Sequence, residues 1–364
     1  MGVQVLSSWY RVYGGELPDV GGVTLFVVFI GSTLTSTIPG ISVAGASPEA
    51  TLYTPVLDVE YLLTGRPLTL NVIPVTPTGI PTPALLSRVS LGLLRLPTLV
   101  VDTGSYAKPR IPHVRLPSAT IGGRVDSGMA LPRGTSKLLF EEARLLGSSL
   151  ARGLNVVMVG ESMPGGTTTA MAIMEALGYR ARGRVSSANK VNPHELKVRV
   201  VEEGFRRAGI KPPLDDVFEV VDLVGDPLHV SIAGFTLGAI EAGSHVILAG
   251  GTQMCSVLAI LSKLNVQLEG RVSVFTTRWL IEDRSSDMVG LLREVAPGVT
   301  LAASTLNLSR SKHQGLRAYE DGYVKEGVGA GGLLTLLALR GYDEDEVVKL
   351  IDVEYERLIG HGVS

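Results

Sequence analysis

LNVVMVGESMPGGTTTAMAIMEALG, residues 154–178, reads as a strand, a glycine-rich turn and a helix. Residues 154–159 are apolar and β-branched, as a strand buried on both faces requires. Gly165 and Gly166 permit a tight turn, and Thr167, Thr168 and Thr169 open an apolar helix that Gly178 can end. A helix start offers unpaired backbone N–H groups and the positive end of the macrodipole, so the turn suits an anion.

The same alternation continues outward. Apolar runs predict strands at 24–30, 69–75, 98–101, 217–222, 245–249, 272–277 and 299–303. Helices are expected from Ser47-Pro48-Glu49 onward, over 83–96, from Thr135 or Ser136 to 151, over 192–208, 226–243 and 252–264, and between the last two strands. The C-terminus reads as helix over 328–340 and 344–359, with the acidic run 343–346 complementing a helix dipole. Residues 103–134 are rich in Pro and Gly, and read either as a surface excursion or as the wall of a site. This pattern predicts an α/β fold: a doubly wound, mostly parallel sheet with helices on both faces and a smaller, largely helical subdomain. The expected organisation is an N-terminal arm at 1–22, a nucleotide-binding catalytic domain at 23–335 and a C-terminal helical segment at 336–364. Ligands bind beyond the carboxyl ends of such strands, which gathers the turns at 31–33, 102–104, 160–168 and 250–252 toward one crevice.

Of the 364 residues 45% are hydrophobic and 19% charged, so a large core can be buried. No apolar run reaches the ~18 residues of a membrane span. The net charge of −2, without a basic stretch, argues against a nucleic-acid partner. The first 22 residues lack a basic n-region, and Leu6 stands where a myristoylation motif has Ser or Thr, so a cytoplasmic enzyme is expected. Cys255 is the one cysteine and the six histidines make no H-x-x-x-H pair, so no disulfide and no metal site is expected.

Gly160 to Thr167 departs from the P-loop pattern G-x-x-x-x-G-K-[ST] at one position, with Gly166 in place of Lys. Without that Lys a triphosphate loses its main charge partner. Three readings stay open. One is a monophosphate site that draws a cation from elsewhere. Another is a nucleoside triphosphatase, with residues 217–222 as a strand ending in a metal-binding Asp. The third is a turn that only lets helix and sheet pack closely. Ser162 follows Gly160 as in G-x-S-x-G, but Pro164 replaces the last Gly of a nucleophile elbow. Residues 327–332 satisfy G-x-G-x-x-G without a following βαβ unit, and read as a loop that lets backbone approach a ligand. Glu326 would then point a carboxylate into the same space, where Val324 and Val328 could raise its pKa. The plainer reading is a solvated Glu beside Lys325.

Three motifs stand in order: Gly160-Glu161-Ser162-Met163-Pro164-Gly165-Gly166-Thr167-Thr168, then Leu196-Lys197-Val198-Arg199-Val200-Val201, then Lys325-Glu326-Gly327-Val328-Gly329-Ala330. They resemble G-[ED]-M-G-I-[GA]-N-T-T, R-K-x-x-V-V and G-E-G-[ST]-G-A of the nicotinate-nucleotide:dimethylbenzimidazole phosphoribosyltransferase family. The resemblance covers residues 150–335; the N-terminal 130 match poorly, which marks a divergent, archaeal-type branch. The chain departs at Gly166, where the family has Asn, and at Ala249-Gly250-Gly251, where it has D-G-F. It departs again at Ser311-Lys312-His313-Gln314-Gly315, where the family has S-A-E-P-G-H.

The resemblance implies transfer of the 5-phosphoribosyl group from nicotinate mononucleotide to a benzimidazole-type base, a step of cobalamin biosynthesis. The products would be α-ribazole phosphate and nicotinate, formed without a cofactor. Glu326 is then the general base and Glu161 a second carboxylate near the ribose or the base. Gly165, Gly166, Thr167 and Thr168 form the phosphate cradle, and Lys197 supplies its cation. Gly327, Gly250, Gly251 and Thr252 complete the nucleotide site. Glu326 is expected to face the 160–168 turn across one crevice, with Lys197 close to the turn. The implied partners are small-molecule substrates and a second copy of the chain, with neither nucleic acid nor membrane. The competing readings are a near-P-loop kinase or hydrolase and a nucleotide-binding protein of the same fold without turnover.

Overall fold

The computed structural model describes residues 9–76 and 78–360. The expectations for residues 1–8 (part of the arm, the acylation motif) and for His361 fall outside that range. Among the described residues the apolar runs form eight strands: β1 (Tyr10–Val12), β2 (Val23–Ile30), β3 (Thr98–Asp102), β4 (Val114–Arg115), β5 (Val156–Ser162), β6 (His245–Ala249), β7 (Val272–Thr277) and β8 (Thr300–Ser304). They make one sheet in the order β1-β8-β7-β6-β5-β2-β3-β4. All neighbours are parallel except β1 and β8, where Tyr10 stands opposite Ser304 and Val12 opposite Ala302.

Alternation along the strands divides the core in two. In β2, Val27 and Phe29 join one apolar cluster, while Phe26, Val28 and Ile30 join the other. In β5, Val157 and Val159 are likewise opposed to Val156 and Met158. The second face carries α1 (Thr54–Thr64), α2 (Ala84–Leu94), α12 (Ala330–Leu339) and α13 (Glu344–Gly360). The first carries α3 (Thr135–Leu150), α4 (Gly166–Ala176), α5 (His194–Ala208), α6 (Val217–Val224), α7 (Pro227–Glu241), α8 (Gln253–Lys263) and α10 (Met288–Val295). One-turn helices α9 (Arg278–Ile281) and α11 (Gln314–Arg317) stand after β7 and β8. Helices α3 and α7 meet backbone to backbone: a Cβ on Gly238 would lie 2.0 Å from the Arg144 carbonyl oxygen. This is the doubly wound α/β architecture that the alternation predicts. The chain runs outward from β2 through β3 and β4, returns to β5 on the other side of β2, and continues to β8. The reversal between β2 and β5 is the switch point at which such sheets bind ligands.

Two predicted strands are corrected. Residues 217–222 lie in α6, capped by Asp216, whose carboxylate accepts from the Phe218 and Glu219 N–H groups. The buried residues Val217, Val220, Val221 and Val224 follow the helical period, which a dense apolar run hides. Residues 69–75 form no strand beyond a single bridge between Val75 and Pro81. Their entry is tied to α1 instead: the Glu60 carboxylate accepts from the Leu68 and Thr69 N–H groups, both at 2.7 Å. The outer edge of β3 is already taken by β4. The start of α3 also differs from expectation. Gly134 is its N-cap, and the Asp222 carboxylate accepts from the Gly134 and Ser136 N–H groups.

Candidate active site

β5 ends at Glu161 and Ser162. The backbone then turns through Gly165 at φ +81°, where a Cβ would stand 2.9 Å from the Ser36 nitrogen, and α4 begins. No side chain caps α4, so its positive end faces a cavity of about 320 Å³ over the turn. The wall combines residues 161–167, 186–188, 251–253 and 323–328 with residues 41–46, Asp58, Leu70, 72–76 and 80–83 from the N-terminal third. Val43, Leu57, Leu70, Val72, Ile73 and Val75 make much of that third apolar. A concave apolar wall with a few convergent polar groups is the usual form of a small-molecule site.

One side of the cavity has two lysines, Lys325 in the wall and Lys197 behind it. Lys197 of α5 is fully buried, and its Nζ donates to Thr167 Oγ1 at 2.9 Å and to the Ser186 carbonyl at 2.5 Å. Burial, with Lys325 nearby, pushes its ammonium down to about 7, against the pull of Asp283. Lys325 Nζ pairs with Asp283 at 2.9 Å and donates to the Ser187 and Asn189 carbonyls.

Three carboxyls share the cavity. Glu161 is 3% exposed; burial pushes it up to about 7, with His229 opposing and Asp226 and Asp58 adding to the rise. Its Oε1 accepts from Gln253 Nε2 at 2.9 Å, and its Oε2 is buried without a partner. Glu326 is pushed up to about 8 by burial, against N–H donation from Gly331 and Gly327, with Glu161 adding to the rise. Its carboxyl accepts from Gly327 at 3.1 Å and from Gly331 at 3.0 Å, and water reaches the half-buried side chain from the cavity. Asp58, on α1, is pushed up to about 6 by burial, although Thr82 and Ser162 both donate to it, at 2.6 and 2.7 Å.

The loop that carries Glu326 is strained. Val324, Lys325 and Val328 have φ of +65°, +61° and +54°, which residues other than glycine rarely adopt, β-branched ones least of all. Backbone bonds pin it on both sides, from Val324 to the Ala188 carbonyl at 2.9 Å and from Val328 to the Glu161 carbonyl at 2.8 Å. Such strain persists only where the surroundings over-determine it, and it clusters at functional sites.

Of the residues singled out in the sequence, Glu161, Gly165, Gly166, Thr167, Gly251, Thr252, Glu326 and Gly327 all line this cavity. Lys197 stands behind it, bonded to Thr167. Thr168 and Gly250 do not line it: the Thr168 hydroxyl is buried without a partner, and Gly250 continues the ladder by donating to Phe275. The turns at 31–33 and 102–104 are also absent from the wall. They bond instead to each other and to 120–122, through Ser32 to Gly104, Thr120 to Thr103 and Gly122 to Ser32. Asp222, the metal ligand of the triphosphatase reading, caps α3 instead. Gly166 leaves room for Gln253 as it stands: a Cβ there would lie 1.8 Å from Gln253 Oε1. An amide from α8 thus occupies the space that an Asn at 166 would need.

Sequence reasoning missed Asp58, Gln253 and the buried pair Asp226–His229. The i,i+3 spacing of Asp226 and His229 behind a helix start was the available signal. Asp58 carried none, because its helix reaches the cavity only through the β2–β5 neighbourhood.

A family model described as "Phosphoribosyltransferase" matches residues 94–274. The UPF0284 protein of Aeropyrum pernix is 55% identical over 347 residues, covering 94% of this chain and 95% of that one. The UPF0284 protein of Pyrococcus furiosus is 45% identical over 339 residues, covering 92% and 99%. Among solved structures, nicotinate-nucleotide-dimethylbenzimidazole phosphoribosyltransferase from Thermus thermophilus superposes with a TM-score of 0.58 at 17% identity, over 93% of this chain and 83% of that chain. That likeness is one of fold. The chain belongs to the UPF0284 family, and its central part is similar to the phosphoribosyltransferase family model.

Proposed function

We propose that the chain transfers the 5-phosphoribosyl group of nicotinate mononucleotide to a benzimidazole-type base, releasing nicotinate and α-ribazole phosphate. The observation that carries this reading is the composition of one cavity, which joins an uncapped helix start and a buried lysine to two carboxyls of raised pKa. The uncapped α4 start, the Thr167 hydroxyl and Lys197 would hold the 5′-phosphate. A dianion there restores the proton that burial draws from Lys197.

In the transfer, the unprotonated ring nitrogen of the base attacks C1′, and the C1′–pyridinium bond breaks with its electron pair going to the departing ring nitrogen. Displacement from the opposite face inverts C1′, which accounts for an α product. Glu326 would take the proton from the second ring nitrogen of the base. A carboxylate with its pKa near 8 is a stronger base than an exposed one, provided that it is ionised, so the step favours alkaline pH. Glu161 would face the positive charge that develops on the sugar, where the low surrounding polarity strengthens its attraction. The apolar wall from the N-terminal third would receive the base, and Asp58 is its buried polar group. A cytoplasmic, homodimeric enzyme belongs to the same proposal; light scattering tests the dimer. No described helix is long and apolar enough to cross a membrane.

The test is incubation with nicotinate mononucleotide and dimethylbenzimidazole, other benzimidazoles or adenine, with products read by chromatography and mass spectrometry. A ribosylated base with equimolar nicotinate is expected. Absence of product with every base, from protein that binds the nucleotide, would refute the proposal.

A further inference from the structure

Behind Glu161 runs a line of side chains that this chemistry does not use. Gln253 donates from Nε2 to Glu161 Oε1 at 2.9 Å, which turns its own Oε1 toward His229 Nε2, 3.0 Å away. An amide oxygen only accepts, so His229 Nε2 carries a proton. On the far side His229 Nδ1 is 2.5 Å from Asp226 Oδ2. Asp226 Oδ1 accepts from the Leu228 and His229 N–H groups at 2.9 and 2.8 Å, an arrangement that favours its ionised form. Nδ1 therefore donates as well, and His229 is an imidazolium, wholly buried together with Asp226.

His229 stands between two carboxylates. At Glu161, the attraction of the nearer imidazolium outweighs the repulsion of the more distant Asp226. The other charged groups facing Glu161 oppose its ionisation: Asp58 from α1, which accepts from the neighbouring Ser162, and Glu326 from the loop before α12. Without His229, Glu161 would sit among carboxyls alone.

We propose that His229, held by Asp226 and joined to the cavity through Gln253, is a positioning residue that favours the carboxylate form of Glu161 and leaves its unpartnered Oε2 for the ribosyl centre of a bound nucleotide. The proposal rests on the phosphoribosyl reading above. The opposite arrangement is chemically distinct: a protonated Glu161 would turn the Gln253 amide over and require a neutral His229.

The test uses the full-length protein without substrate. Ring ¹⁵N shifts of His229 report its protonation, and the ¹³C carboxyl signal of Glu161, assigned with Glu161→Gln, reports its titration. Both ring nitrogens are expected to be protonated at neutral pH. In His229→Gln the Glu161 midpoint should rise by about one pH unit, because an opposite charge is lost. Gln253→Leu, which changes a cavity-facing residue and carries the test if His229→Gln does not fold, should raise it in the same direction. In the transfer assay His229→Gln should lower kcat with KM for the nucleotide little changed, and the deficit should shrink as pH rises past the shifted midpoint. A neutral His229 in the wild-type protein, or an unmoved Glu161 midpoint in the folded variants, overturns the proposal; a line that only stabilises the fold would lower the melting temperature and leave the midpoint in place. Should the midpoint move while no base is ribosylated, the phosphoribosyl reading fails and the charge relay stands.

Discussion

Replacing Glu326 by Gln separates its role as a base from its role in the fold. The side chain keeps its shape: Oε1 can still accept from Gly327 and Gly331, and the new amide N–H can donate to the Thr276 hydroxyl. The charge is lost, and with it the second bond of the Gly331 N–H, the one to Oε2. Burial raises the carboxyl from 4.5 to about 8 in the fold. That difference corresponds to about 5 kcal/mol of stability, and roughly half survives because water reaches the carboxyl through the cavity. The sign follows from the raised pKa. Below 4.5 the group is protonated in both states and costs nothing. As pH rises toward 8 the unfolded chain ionises first, so the native state loses stability, and beyond 8 the loss is constant. Between about pH 4.5 and 9 the wild-type unfolding free energy should therefore fall by about 2–3 kcal/mol more than that of Glu326→Gln. Guanidinium unfolding at both ends of this range measures it. In the transfer assay the same variant should lose about 10²–10⁴ in kcat, and the acid limb near pH 8 should vanish. Nucleotide affinity should stay within about threefold, since no phosphate contact changes. Wild-type kcat in the variant, or an acid limb that persists, would refute the assignment of Glu326 as the base.

Lys197→Met should weaken nucleotide binding by about 30–100-fold in calorimetry, the loss of one charge-assisted contact, with kcat little altered; a loss confined to kcat would count against a phosphate role. Because burial lowers the Lys197 ammonium to about 7, wild-type affinity should also decline as pH rises through that value and the charge is lost. Gly166→Asn drives a Cβ to 1.8 Å from Gln253 Oε1 and should cost about 1–3 kcal/mol, while Gly166→Asn with Gln253→Gly should recover part of it in thermal unfolding. Asp222→Ala removes the carboxylate that caps α3 and should cost about 1–2 kcal/mol without creating or abolishing any response to Mg²⁺, as followed by denaturant titration with and without the ion.

Much of the scaffold was legible because its signals are local. The run from Leu154 to Val159 has to be buried on both faces, and a Gly-Gly turn followed by Thr can only lead out of it into a helix; β5 and α4 follow. Asp226-Pro227 at one end and Gly243 at the other bracket α7 for the same reason. Local signals fail where composition masks period. Val217 to Val224 is apolar enough for a strand, and only the Asp216 cap and the packing of one helical face decide otherwise. Residues 69–75 have a strand's composition, but β4 already occupies the edge of β3, and their entry is tied to Glu60 of α1 instead.

By itself, then, the sequence determined the layered α/β fold, the anion-suited helix start and the two glutamates in their motifs, since each depends on residues within one or two turns of chain. Tertiary structure alone decided what surrounds those glutamates. Asp58, Glu161 and Glu326 come from α1, β5 and the loop before α12, and they share one cavity because the strand order reverses beside β5. Their raised pKa values arise from burial, and at Glu161 and Glu326 also from a neighbouring carboxyl, quantities that no stretch of chain carries alone. The turns at 31–33 and 102–104 lost their place at the site in the same way, since hydrogen bonds with 120–122 close them before any ligand could reach them.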